Sequence, residues 1–325
     1  MSNKMHSFSD NFNDSFSVRS AGILSLLQDR GRFGQSSLGL TNGGPADPYS
    51  AAMANALLNN NSNATLIECS IGGLQLEAHC ASFIAVTGAE LSLTINGQAA
   101  AMWTSLAVSA GDIIELGMAS AGLRAYVAVA QGFKIKPQFS STATVLREKI
   151  GGLNGDKLHT GDSLAVTSVS RAALHSLAKQ HWRQFNSSLT LRLIEGYQAE
   201  QFSPIERQRF YLQPYTITPQ SDRMGYKLTG AAIHCQQQSL LSEGICYGAV
   251  QIPPDGQPIV LLNDRQTLGG YPKIGSVLSL DCALLAQASP GTKVYFTPIS
   301  IEQAHNALCL ADAHFKRLTA AWTHT

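Results

Sequence analysis

Three Asp-Arg dipeptides stand where an apolar run stops: Asp29-Arg30 after residues 23–27, Asp222-Arg223 after 215–218, and Asp264-Arg265 after 259–262. In a chain with 14% charged residues, ion pairs at such corners are conspicuous. A planar guanidinium bonds carboxylates, phosphates and carbonyl oxygens bidentately, so a fixed Arg either ties loops together or grips an anion. For Asp29 and Arg30 the loop tie is favoured. For Arg223, Arg265 and Lys273 an anion site is favoured, because they stand beside glycine turns whose backbone N–H groups can face the same ligand.

The densest corner is "VLLNDRQTLGGYPKIG", residues 260–275. Gly269, Gly270 and Pro272 account for a turn. They leave Arg265, Gln266, Tyr271 and Lys273 to be explained. Just upstream, Gln251 and Gln257 flank a Pro-Asp-Gly turn, and an amide side chain both donates to and accepts from an amide substrate. A satisfied hairpin turn explains those two equally well.

Other chemistries fail their motif tests. No H-E-x-x-H, no His pair at i,i+4 and no C-x-x-C occurs, so no metal site is expected. No G-x-S-x-G elbow or G-x-G-x-x-G fingerprint is present. Gly151–Lys157 has its lysine after Asp156, where a phosphate loop needs Gly-Lys, and reads as a surface turn. His79, His159 and His234 are scattered and assemble no Ser/His/Asp set.

The elements that position these corners read as β. Residues 82–87, 91–95, 113–116 and 124–129 are short apolar or alternating runs separated by Gly, Asn-Gly or Gly-Asp. Asn96-Gly97 predicts a type I′ hairpin. Asp47-Pro48 predicts a helix start, and 171–182 a second helix. Ile301, Ala304, Leu308, Ala311, Phe315, Leu318 and Trp322 make one stripe on a C-terminal helix. That stripe suits docking on its own barrel, and a partner-binding helix is the sharper alternative. The expected layout is a disordered leader at 1–19, an N-terminal β subdomain at 20–185, a C-terminal β subdomain at 186–300 and a helix at 301–325.

At 325 residues and 44% hydrophobic the chain can bury about 75% of its unfolded surface. A net charge of +1 points to neither nucleic acid nor an anionic membrane. The N-terminal stretch has no apolar segment of signal-peptide type. Six cysteines without motif spacing suit free thiols in a reducing cytoplasm.

Four blocks, "LLQDRGRFGQSSLGL", "GGPADPYSAAMANALLNN", "TPQSDRMGYKLTG" and "SEGICYGAVQIPPDGQPIVLLNDRQTLGGYPKIG", carry a family resemblance. They resemble the family known as the C-subunit of 5-oxoprolinase, biotin-dependent carboxyltransferase subunit, or allophanate hydrolase subunit 2. The resemblance runs from about residue 21 to 296, while "RLIEGYQAEQF" departs from the family's wording. It implies a cyclophilin-like β-barrel architecture and partners: a homologue of the 5-oxoprolinase B-subunit, itself cyclophilin-like, and a third 5-oxoprolinase subunit. It implies ATP and Mg²⁺, shared with the B-subunit, and activation of a lactam by phosphorylation before hydrolysis to glutamate. On that chemistry Arg223 and Arg265 clamp the anion, Lys273 contacts phosphate or substrate, and Asp222 and Asp264 orient them. Gln251 and Gln266 contact the amide, with Gln257, Tyr271, Gly269 and Gly270 completing the substrate side. Two alternatives stay open. One is the transfer site of a biotin-dependent urea carboxylase, and the other is a non-enzymatic regulator that binds a B-subunit homologue. The chain has no biotin-carrying Met-Lys-Met and no catalytic stretch of an allophanate amidase.

Overall fold

The computed structural model describes residues 14–236 and 240–322. Eleven strands precede residue 170: β1 (Ser15–Ala21), β2 (Leu24–Gln28), β3 (Leu66–Ser70), β4 (Leu74–Ala78), β5 (Ser82–Glu90), β6 (Leu93–Ile95), β7 (Gln98–Ala100), β8 (Ser105–Val108), β9 (Ile113–Leu116), β10 (Ala121–Val129) and β11 (Ser163–Ala165). They form two sheets, ordered β11-β1-β4-β9-β6-β7 and β2-β3-β10-β5-β8. One core lies between them, built on Phe16, Leu76, Ile114, Ile67, Val86 and Val127. The second sheet also packs its other face, through Ala85, Tyr126 and Ala128, against helix α1 (Pro48–Ala56). Burial on both faces explains why β5 and β10 are nearly continuous apolar runs.

From Ser188 the chain builds a closed barrel. Its elements are β12 (Ser188–Glu195), α2 (Pro204–Leu212), β13 (Tyr215–Ser221), β14 (Gly225–Thr229), β15 (Glu243–Gly244), β16 (Ala249–Gln251), β17 (Ile259–Leu261), β18 (Leu268–Gly269), β19 (Lys273–Val277), α3 (Ser279–Ala286) and β20 (Lys293–Pro298). The barrel order is β12-β19-β16-β17-β14-β13-β20, closed by a parallel pairing of β12 with β20. Leu189, Leu191 and Leu193 alternate inward along β12, as a half-buried strand requires. They meet Val294, Phe296 and the α2 residue Phe210 in the barrel core. Strands β15 and β18 pair outside the barrel as a small flap.

Several expectations are met locally. Asn96 and Gly97 have φ of 53° and 74° and turn β6 into β7, as type I′ geometry demands. The Asp47 side chain accepts from Ser50 N to cap α1, with Pro48 at its first position. A C-terminal helix, α4, spans Ile301–Thr319, and residues 323–325 lie outside the described residues. It docks on the chain's own α1 face through Phe315 and Leu318, with Trp322 beyond it. Ile301 and Leu308 are 70% and 39% exposed, so the docked stripe is narrower than the sequence stripe.

Two expectations are corrected. Residues 15–19, read as leader, belong to β1, which pairs with β4 and β11; residues 1–13 lie outside the described residues. The helix read at 171–182 does not form. Its backbone serves a strand instead: Ser105 N donates to His175 O at 2.9 Å and Leu177 N to Trp103 O at 2.9 Å. Only the 3-10 turn Lys179–His181 is helical there. Among the described residues no helix is long and apolar enough to cross a membrane, and all six cysteines are free.

Candidate functional site

The wall of the barrel on the β14–β17 side opens into a cavity of about 850 Å³. Asp222, Gln251, Arg265, Gln266, Gly269, Gly270 and Tyr271 all line it, so the turn at 222 and the segment 265–271 meet on one wall. Gln251 ends β16 and is buried, whereas Gln266 and Tyr271 stand exposed at the rim. Gly269 passes close to the Gln251 amide: a Cβ there would come within 2.8 Å of Gln251 Nε2 and would crowd Ile245 as well. The missing side chain keeps this wall open.

Arg265 is the charged centre of the site. Its Nε donates to Ile245 O at 3.1 Å, Nη1 to Leu262 O at 3.3 Å and Nη2 to Asn42 Oδ1 at 3.3 Å. Every one of these partners is neutral. Burial pulls its pKa down, with Cys246, Tyr247, Cys282 and Asp264 opposing at longer range. A guanidinium has five N–H donors, and this one spends three of them on neutral oxygens. A half-buried cation without a carboxylate partner attracts an anion or a carbonyl oxygen that develops charge.

Arg223 and Asp264 are corrected. They face away from the cavity, into the seam between the barrel and the N-terminal sheets. Arg223 Nε and Nη2 bond Asp264 at 2.9 and 3.0 Å, Nη2 donates to Gly44 O at 2.8 Å, and Nη1 bonds Glu68. Its fork is filled by protein, so it is not available as an anion clamp. Burial raises the Asp264 pKa while Arg223 opposes; burial lowers that of Arg223, but Asp264 and Glu68 outweigh it and leave it raised. Glu68 is fully buried in β3 and also accepts from Tyr126 Oη at 2.9 Å and Ala46 N at 2.8 Å. Arg124 lies 3.8 Å from it, so two guanidiniums balance two carboxylates in the seam. The sequence signal for Glu68 was present: an acid inside the apolar run Leu66–Ser70 must have a buried partner.

Three other candidates sit differently from expectation. Lys273 is outside the cavity and pairs with Glu243 on the flap, where Gln198 and Tyr197 also bond Glu243. Lys273 therefore braces the flap. Gln257 spends its amide on Gly230, accepting at 2.8 Å and donating at 3.3 Å, as a satisfied turn does. Asp222 lines the cavity but also accepts from Met224 N at 2.7 Å and Gly225 N at 3.3 Å, which fixes the β13–β14 turn. Asp29 ties its loop to Ser141 and Thr142, at 2.6 and 2.8 Å, as expected. Arg30 ties the loop only through its backbone, its N–H donating to Asn63 Oδ1 at 3.1 Å, while the side chain is exposed and reaches a second, smaller cavity that Arg265 also lines.

A family described as carboxyltransferase domain, subdomains A and B, matches residues 38–298, which contain the whole lining of the large cavity. The chain belongs to that family. It is similar to the C-subunit of 5-oxoprolinase from Escherichia coli (strain K12), 34% identical over 93% of this chain and 96% of the relative. It is 32% identical to the 5-oxoprolinase C-subunit of Haemophilus influenzae, over 86% of this chain and 89% of the relative. The crystal structure of the K. lactis urea amidolyase superposes with a TM-score of 0.88 over 94% of this chain at 24% identity. This chain spans 20% of that protein, so the likeness is one of fold. The barrel and sheets at 15–298 are thus the fold of a carboxyltransferase domain.

Proposed function

We propose that the chain is the C-subunit of an ATP-dependent 5-oxoprolinase and activates a lactam for hydrolysis together with partner subunits. The observation that carries this is Arg265, a half-buried guanidinium with only neutral partners on the wall of a large cavity. The 34% identity to a 5-oxoprolinase C-subunit over nearly its full length supports the substrate class.

A lactam carbonyl is a poor electrophile because its nitrogen donates into it. Transfer of a phosphoryl group to its oxygen creates a good leaving group. Arg265 would stabilise the negative charge that moves between phosphoryl and carbonyl oxygens, with no reorganisation of water at the moment of transfer. Gln251 and Gln266 would bond oxygens on the large-cavity side of Arg265, and the Gly269-Gly270 turn leaves room for the transferring group. Lys227, on the same wall, is held by Asp255 at 3.0 Å and is a weaker second cation. Arg265 and Lys227 would meet part of a triphosphate, and ATP with its Mg²⁺ would be shared with the partner B-subunit. A cytoplasmic setting belongs to the same proposal.

The test is reconstitution with the two partner subunits, following ATP-dependent loss of 5-oxoproline. Turnover by the complex and none by the chain alone supports the reading. Turnover of urea that needs bicarbonate and biotin would replace it with the carboxyltransferase reading. Assembly without turnover would make the chain a regulator.

A further inference from the structure

Across Arg265 from the large cavity lies a second one of about 210 Å³, lined by Arg30, Phe33, Asn42, Tyr247, Asn263 and Arg265 among others. Two of these carry buried polar atoms without a partner among the described residues: Tyr247 Oη and Asn263 Oδ1. Asn263 is 9% exposed. The orientation of its amide is fixed by its surroundings. Nδ2 faces three carbonyl oxygens, of Gly43, Gly44 and Pro45, at 3.1, 3.3 and 3.2 Å, and only the donor end suits three acceptors. Its Oδ1 is therefore left as an acceptor. Buried groups of this kind are costly unless a ligand or an ordered water supplies the missing partner.

Size separates the two cavities. A small amide in about 850 Å³ would stay mostly wet, whereas binding sites bury about 70–90% of their ligand. A cavity of 210 Å³ holds the liquid volume of about seven waters, the size class of one five-membered lactam with a carboxylate. Phe33, Pro45, Pro48 and the Tyr247 ring supply apolar walls for the ring. Asn263 Oδ1 requires a donor, and Tyr247 Oη with the Arg265 and Arg30 guanidiniums requires oxygens, at least one of them anionic.

We propose that this small cavity is the substrate pocket, with the lactam N–H donating to Asn263 Oδ1 and the substrate oxygens held by Tyr247 and the two arginines. The inference rests on the 5-oxoprolinase reading. Arg265, which lines both cavities, would then stand between the substrate oxygens and the large cavity.

The assembled complex tests it by calorimetric titration with 5-oxoproline, N-methyl-5-oxoproline and 2-pyrrolidone, on wild type and Tyr247→Phe. N-methylation removes the donor and is expected to weaken binding at least tenfold; 2-pyrrolidone, without a carboxylate, weakens it similarly. Tyr247→Phe removes one hydroxyl and is expected to weaken 5-oxoproline about fivefold without lowering the melting temperature. If the complex turns over 5-oxoproline but neither N-methylation nor Tyr247→Phe changes affinity, the pocket assignment falls and the enzyme reading stands. If the complex neither binds nor turns over 5-oxoproline, both fall.

Discussion

The Arg223 guanidinium, carried on the barrel, bonds the carboxylate of Glu68, carried on β3 of the N-terminal sheets, with both side chains buried. This bond, with the Asp264 pair behind it, locks the two halves of the chain in register. Arg223→Ala would leave Asp264 as a buried carboxylate without its pair and Glu68 with Arg124, at 3.8 Å, as its remaining cation. The expected loss is about 3–5 kcal/mol, a large share of the roughly 5–15 kcal/mol that a folded protein has. Urea unfolding at neutral pH measures it. A loss under about 1 kcal/mol would show that the seam tolerates the unpaired acid, for example by taking up a proton.

Arg223 also shows where sequence and structure part. The strands, the Asn96-Gly97 turn and the Asp47 cap are local events, each decided by a few adjacent residues, and they stand in the sequence. So do the turns at 222–225 and 265–271, because their glycines and polar side chains share short segments. Which way an Arg faces is not local. Asp222-Arg223 and Asp264-Arg265 look alike in sequence, yet Arg223 turns into the seam because Glu68, 155 residues away, waits there. Arg265 finds only carbonyl and amide oxygens. The 171–182 helix failed for the same reason: Ala172, Ala173, Leu174, Leu177 and Ala178 favour helix locally, but the open backbone at Trp103 and Ser105, at the start of β8, captured the chain.

Asp47 gives a pH prediction. Burial alone would raise its pKa, but the ion pair and hydrogen bonds from Arg183, with Ser50 and Gln287, outweigh that and hold it below the ordinary 3.8. The unfolded chain therefore binds this proton more readily than the folded one. Asp47 contributes stability above the unfolded value and loses it progressively as pH falls from about 5 through the depressed folded value. Asp47→Asn is expected to be less stable than wild type at pH 7 and to converge with it on acidification. Urea midpoints at several pH values check this, and parallel lines would refute it. Asp264 is no substitute, since its raised pKa gives the opposite sign.

Gly269→Ala separates the large cavity from the fold. The added methyl meets Ile245 and the Gln251 amide, both of them side-chain ends that can shift, and no backbone atom stands in its way. Stability is expected to change by less than about 1 kcal/mol, as for most substitutions outside the core. The Gln251 amide must move, so the complex should lose at least fivefold in kcat/KM. Unchanged turnover would place the chemistry elsewhere than this wall.

Arg265 decides whether the cavity wall is catalytic. Among the described residues it has no carboxylate partner, so Arg265→Ala strands no buried charge and removes three bonds to neutral oxygens, which water entering from the cavity can replace. Its stability cost should stay near about 1–2 kcal/mol, on the order of one or two hydrogen bonds. The catalytic cost should be much larger. Removing a donor that meets charge only in the transition state typically costs about 10²–10³ in kcat. Arg265→Lys keeps the charge but cannot hold Ile245 O, Leu262 O and Asn42 at once, so it should recover only a small part of the activity. The pair of readouts discriminates. If Arg265→Ala unfolds the chain, the residue is a brace like Arg223. If it folds and the complex keeps wild-type turnover, the anion site is not on this wall. A folded complex with turnover reduced a hundredfold, partly rescued by Lys, is the expected result.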